Sequence, residues 1–190
     1  GSPRGSRTRR SARRQPALRG EDVEGETEIT LDEAFLGTSR TVELNGPQGA
    51  RRVEIRIPAG IQDGARVRAA GQGSPGSGGG ASGDIFVRVR IRPHPRFTRV
   101  GNDLQTKVPV PLATAIAGGS VAVQTLRGTT VQLTIPSSTQ NTARLRLRGM
   151  GMPRVRGDGA GDLIAEVDVR VPVPVPDQLR AWAEAAGGDA

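Results

Sequence analysis

The chain has 190 residues and a net charge of +8, with no cysteine, one histidine and only Phe35, Phe86, Phe97 and Trp182 as aromatic residues. Disulfides, thiol catalysis, zinc ribbons and iron–sulfur ligation are excluded by the missing cysteines, and neither a metal nor a cofactor is expected. No run of 18 or more apolar residues occurs, so no membrane association is expected, and the composition points to the reducing cytoplasm.

Residues 1–20 hold Arg4, Arg7, Arg9, Arg10, Arg13, Arg14 and Arg19 and no acid, which leaves about +1 for the remainder. With Gly, Ser and Pro between the arginines, this stretch cannot bury enough apolar surface to offset its ordering entropy. A disordered linker is expected, and Gly1-Ser2 has the look of a scar left by removal of a tag.

From residue 21 the periodicity is two, the signature of half-buried strands. Val87-Arg88-Val89-Arg90-Ile91-Arg92 and Ala143-Arg144-Leu145-Arg146-Leu147-Arg148 are the clearest cases, with apolar residues on one face and arginine on the other. Antiparallel sheets are expected. Thr30 and Glu33 form a capping-box pair that would start a short helical turn at Leu31–Leu36. The glycine-rich stretch 71–83 reads as a flexible loop between strands, since no Gly-Lys-Ser or Gly-Lys-Thr follows to make a phosphate cradle.

An internal repeat organises the rest. Ile57-Pro58-Ala59-Gly60-Ile61-Gln62-Asp63-Gly64 returns as Ile135-Pro136-Ser137-Ser138-Thr139-Gln140-Asn141-Thr142, and Gly83-Asp84-Ile85 as Gly161-Asp162-Leu163, both at an offset of 78. Leu31, Ala34 and Gly37 return as Leu112, Ala115 and Gly118 at an offset of 81, so the length difference falls in the connection before Val53 and Val131. The expected fold is all-β, two tandem small antiparallel β-sandwiches at 21–98 and 99–176. A short helix at 177–190 ends the chain, capped by Asp177, with Leu179, Trp182 and Ala183 on one face. That face is expected to be covered by a partner subunit, giving a homodimer, or by the second sandwich.

An enzyme is not expected. Acids are scattered, and the single His94 lies among arginines and prolines at the junction of the copies. Asp84 and Asp162 recur at equivalent strand starts, which suits turn chemistry better than catalysis.

Several motifs occur in one order over residues 21–185. Thr30-Leu31-Asp32-Glu33-Ala34-Phe35-Leu36-Gly37, Ile57 to Gly64 and Gly83-Asp84-Ile85-Phe86-Val87 resemble the first C-terminal domain of DnaJ-family co-chaperones. His94-Pro95-Arg96-Phe97-Thr98-Arg99-Val100-Gly101-Asn102-Asp103-Leu104 is similar to that family's junction into its second domain. Val108-Pro109-Val110-Pro111, Thr125-Leu126-Arg127-Gly128 and Arg148-Gly149-Met150-Gly151-Met152-Pro153 continue the resemblance. The cysteine-rich zinc module is missing, as in the CbpA-like class, and no J domain is expected within these residues: His94-Pro95 is not its His-Pro-Asp signature, because Arg96 occupies the third place and the surroundings read as strands. A fragment of a longer protein is expected.

The resemblance implies binding of unfolded polypeptides by strand addition on the first sandwich, and their delivery to a DnaK-type chaperone. Carried over position by position, the client pocket falls on Gly25 and Thr27 of the first strand, Val42 and Leu44 of the second and Val87 of the fifth. Relatives place larger apolar residues at the first two positions, so a pocket shallower or shifted toward Val23 and Ile29 is expected. In zinc-free relatives the groove also takes the acidic tail of the partner chaperone. Arg40 matches one basic position, and the other falls on Ala50, beside Arg51 and Arg52. Two other readings stand beside this one: nucleic-acid binding through the arginine-rich tail, and a dimeric scaffold.

Overall fold

A computed structural model describes residues 16–46 and 49–187, with only the backbone at 44–46. The elements in chain order are β1 (Val23–Ile29), α1 (Leu31–Leu36), β2 (Thr38–Gly46), β3 (Gly49–Ile57), β4 (Arg66–Ala69), β5 (Ile85–Ile91), β6 (Thr98–Val100), β7 (Asp103–Pro111), α2 (Leu112–Ala117), β8 (Gly119–Gln124), β9 (Thr130–Ile135), β10 (Arg144–Leu147), β11 (Leu163–Arg170) and α3 (Asp177–Ala186). Strands dominate, and the all-β class read from the periodicity is the class observed.

Contacts divide the described chain into two compact units. The first takes residues up to Thr27 with Arg40–Ile55 and Arg66–Val89; the second takes Glu28–Ser39, Arg56–Ala65 and the residues from Arg90 on. These packing units cut across the sequence copies, because α1 and the Pro58–Ala65 turn pack with residues of the later copy.

In the first unit a three-stranded sheet, ordered β1-β5-β4, is accompanied by the β2–β3 hairpin. Ile85, Val87 and Val89 are buried while Arg88 and Arg90 are exposed, as an alternating strand demands. Val53 and Ile55 of β3 meet Ile85 and Val87 of β5 in one cluster, so the hairpin and the sheet form the two layers of a sandwich.

In the second unit the order is β10-β11-β7-β6, beside the β8–β9 hairpin. Antiparallel pairing was expected throughout, but β11 runs parallel to β7, from Leu163 opposite Leu104 to Arg170 opposite Pro111, whereas β10 and β6 pair antiparallel. Periodicity reports which face a residue takes, not strand direction. The long path from β7 to β11 through α2 and three strands supplies the crossover that a parallel pair needs.

The repeat governs backbone detail. Gly37 and Gly118 end α1 and α2 with φ of 79° and 81°. Gly60 and Gly64, at 82° and 76°, have as counterparts Ser138 and Thr142, which hold the same left-handed backbone at 60° and 65°. Carboxylate pairs recur as well. Asp84 accepts the Gly71 N–H while Asp22 accepts the Asp84 N–H, and Asp162 and Asp103 repeat this with Gly149 and Asp162, all at 2.7–2.8 Å.

The glycine-rich stretch differs from its expectation. Gly73 N–H donates to Gly83 O and Gly83 N–H to Ser74 O, while Leu18 and Ser77 exchange two backbone bonds and Gly20 N–H donates to Ala81 O. Leu18 and Gly20, expected at the end of a disordered stretch, are therefore paired, and residues 1–15 lie outside the described residues. A side chain at Gly80 or Gly83 would place a Cβ 2.0 Å from Leu18 O or 2.1 Å from Glu21 O, so these glycines permit close backbone packing rather than motion.

Candidate functional site

The first unit's core is closed on its open side by half-buried residues. Val23 of β1 and Val42 of β2 pack against the Val53, Ile55, Ile85 and Val87 cluster yet keep part of their surface in solvent. Both come from edge strands: β1 has β5 as its only described neighbour and β2 has β3. Each edge therefore offers backbone donors and acceptors to an added strand.

Gly25 follows Val23 at the strand period, so its missing side chain would face inward as Val23 does. An ideal Cβ there would meet nothing within 4 Å, which leaves an opening beside Val23 and the half-buried Thr27. Val87 is 1% exposed, so it forms the floor of this region and not its wall. The Leu44 side chain lies outside the described residues. The geometry thus gathers Val42 and Val87 around one cluster, with Gly25 and Thr27 on the bordering strand; of the two residues toward which a shift was expected, Val23 packs half-buried against the cluster, whereas Ile29 is fully buried.

The arginines predicted to border the groove separate. Arg51 donates to Gly73 O and ties the glycine-rich segment to β3, Arg52 is exposed, and Arg40 is half-buried. Asp84, almost buried, accepts the Gly71 N–H, and that bond together with Arg68 and Arg19 holds its carboxyl below the ordinary value against the opposing effect of burial. Asp84 is thus a structural anchor of the segment.

His94 takes a structural part at the junction. Its Nδ1 accepts the backbone N–H groups of Arg96 and Phe97, its ring lies 5.2 Å from that of Phe97, and its Nε2 is 3.7 Å from Asp32. Nearby, Arg99 donates to Gly101 O, Gly60 O and Ile61 O and so pins the Pro58–Ala65 turn within the second unit.

The second unit has a cleft of about 590 Å³ lined by Thr106, Lys107 and Val108 of β7, Ala122, Val123 and Gln124 of β8, with His94 and Glu166. None of its residues was read from sequence as part of a binding site. The signal was present, because an offset of 81 carries Gly25, Thr27 and Val42 onto Thr106, Val108 and Val123. Here β6 pairs with β7 only as far as Gln105, which leaves the later edge of β7 open.

On α3, Leu179 is half-buried, Ala183 is exposed and Trp182 is 64% exposed; none of its residues is buried. Asp177 does not cap the helix as expected: Pro176 holds the N-cap position without a side-chain hydrogen bond, and Asp177 stands in the first turn. Among the described residues no helix is long and apolar enough to cross a membrane.

The family model of the DnaJ C terminal domain matches residues 23–172, which takes in both units and every strand. The chain belongs to the DnaJ C-terminal domain family. It is 40% identical over 150 residues to a Curved DNA-binding protein of Escherichia fergusonii, an alignment covering 74% of this chain and 49% of that protein. A Curved DNA-binding protein of Pseudomonas syringae pv. tomato is 37% identical over 91% of this chain and 58% of its own length. A Chaperone protein DnaJ of Burkholderia mallei is 45% identical over 68% of this chain and 34% of its own. The chain thus spans about half the length of these Curved DNA-binding relatives and a third of that of the DnaJ relative. A DnaJ-type co-chaperone is the class to which this domain pair points, and the chaperone relatives are of that type.

Proposed function

We propose that the DnaJ C-terminal domains of this chain bind unfolded polypeptides at the open side of the first sandwich, and within a complete cytoplasmic co-chaperone deliver them to a DnaK-type chaperone. The observation that carries this is the pair of edge strands β1 and β2 flanking half-buried Val23 and Val42, beside the opening at Gly25. Unfolded chains present an extended backbone and apolar side chains together. A strand edge recognises the first without regard to sequence and an apolar opening the second.

The cleft at Thr106, Val108 and Val123 is the repeat counterpart of this region and serves as a second, more polar surface for the same client chain. Two weak sites joined by one client raise overall affinity through effective concentration. The α3 face with exposed Trp182 and Ala183 and half-buried Leu179 makes the homodimer contact, which multiplies the sites again.

Suppression of aggregation of a chemically unfolded protein tests the assignment. Gly25→Phe fills an opening that has room for a side chain, so the fold is retained and holding falls several-fold. Equal holding by a folded Gly25→Phe variant and the parent rejects the first-sandwich site; a parent that does not hold at all favours a scaffold. The name of the Curved DNA-binding relatives supports a second reading, binding of nucleic acid through the arginines of residues 1–20. Steep salt dependence of duplex binding, lost on deleting those residues, is its signature.

A further inference from the structure

We propose that Arg127 and Arg148 form a pit in the second unit that binds the carboxylate of an acidic polypeptide segment, separately from the client groove. The turn after β8 and the loop after β10 meet around a cavity of about 190 Å³, whose walls include Phe35, Arg127, Thr129, Arg148, Gly149 and Met150. No acid lines it. Of the arginines on and after β10, Arg144 pairs with Glu166 at 3.6 Å and Arg146 with Asp162 at 3.5 Å, whereas Arg148 has no acidic partner among the described residues. Arg127 has none either, and its guanidinium lies 5.8 Å from the centre of the Phe35 ring, with both residues lining the pit.

The backbone around both arginines is already fixed. Thr125 N–H and its hydroxyl both donate to Thr129 O, and Gly128 N–H returns to Thr125 O at 3.0 Å. Across the pit Gly149 N–H donates to Asp162 and Gly151 N–H to Gly161 O, each at 2.8 Å. Arg148 stands where the first copy has Ala70, so the sandwich itself does not require a guanidinium at this place. Two neighbouring cations without an acid repel each other, and an anion between them relieves that repulsion while taking planar, paired hydrogen bonds.

The apolar wall decides the class of anion. Half-buried Met150 can cover the methylenes of a glutamate or the side chain beside a chain terminus. A nucleic-acid phosphate would want an exposed ring for its base, and Phe35 is only 9% exposed.

Backbone amide shifts of the full chain, followed by nuclear magnetic resonance, test this. The probe is an acetylated hexapeptide of alanine, leucine and glutamate with a free carboxy terminus. Saturable, salt-sensitive shifts are expected at Gly128, Gly149 and Gly151. Affinity should fall about tenfold or more in an R127Q/R148Q variant, whose own spectrum reports its fold. The corresponding glutamine peptide with an amidated end should leave these amides unmoved. A Val42→Asp variant should bind the probe as the parent does, which separates this pit from the client groove. Unchanged affinity in R127Q/R148Q, or shifts confined to other residues, would overturn the proposal. Inorganic phosphate or a short DNA duplex moving the same amides as strongly as the peptide would overturn the assignment to a carboxylate.

Discussion

Individual residues reveal what each copy of the repeat needs. Ser138 and Thr142 hold a left-handed backbone that their first-copy counterparts meet with glycine. Relief of that conformation is worth about 1–2 kcal/mol and is partly offset by the entropy glycine loses on folding. Thr142→Gly should therefore stabilise the second unit by roughly 0.5–1 kcal/mol in urea unfolding. Gly60→Ala should do the reverse by about 2 kcal/mol or more, since crowding adds to the unfavourable φ. Its Cβ would lie 2.2 Å from Pro153 O at a φ of 82°. Asp84 gives a pH prediction. Its carboxyl sits below the ordinary 3.8, so its contribution is present above that value and lost as pH falls through the lowered one. Thermal unfolding against pH should show an acid-side loss that Asp84→Asn flattens; equal slopes in both proteins would remove Asp84 from the account.

Among the elements, α1 has only six residues and depends on its ends. Thr30 accepts the Glu33 N–H and Glu33 accepts the Thr30 N–H, and Thr30→Ala should cost about 1 kcal/mol by chemical unfolding. The strap formed by residues 18–21 and the glycine-rich segment gives another test. Gly80→Ala should raise hydrogen exchange at Leu18 and Gly20 by pushing their backbone away, and leave β3 and β5 protected. The capping box, the short helix at Leu31–Leu36, the C-terminal helix and the alternating strands were legible in the sequence because each follows from a local residue pattern. The strap was not, since glycine reads as freedom in composition and becomes close packing only when another backbone is adjacent. The parallel β7–β11 pair was hidden for a related reason: a period of two is identical in both directions.

On the scale of the whole molecule, the duplication was the most legible feature. The helix-end glycines Gly37 and Gly118 and the strand-start aspartates Asp84 and Asp162 are fixed by backbone geometry and so recur in both copies. Of the residues proposed for client binding, Val42 packs against the cluster that contains Val87, and burial places Val87 beneath the surface rather than on it. Pairing of Arg51 with Gly73 could not be foreseen, because it depends on where the glycine-rich segment lies. The exposed Trp182 carries the oligomer prediction. Sedimentation should show a dimer that Trp182→Glu converts to a monomer, with tryptophan emission shifting to the red. A parent that is monomeric at tens of micromolar would remove α3 as an interface.

The most direct test of client binding at the first sandwich is hydrogen exchange of the intact chain with and without a permanently unfolded protein. Backbone hydrogen bonds from an added strand should slow exchange along β1 and β2, with β7 and β8 slowed to a smaller degree. Protection absent from β1 and β2 and found only in the second unit or on α3 would contradict the account.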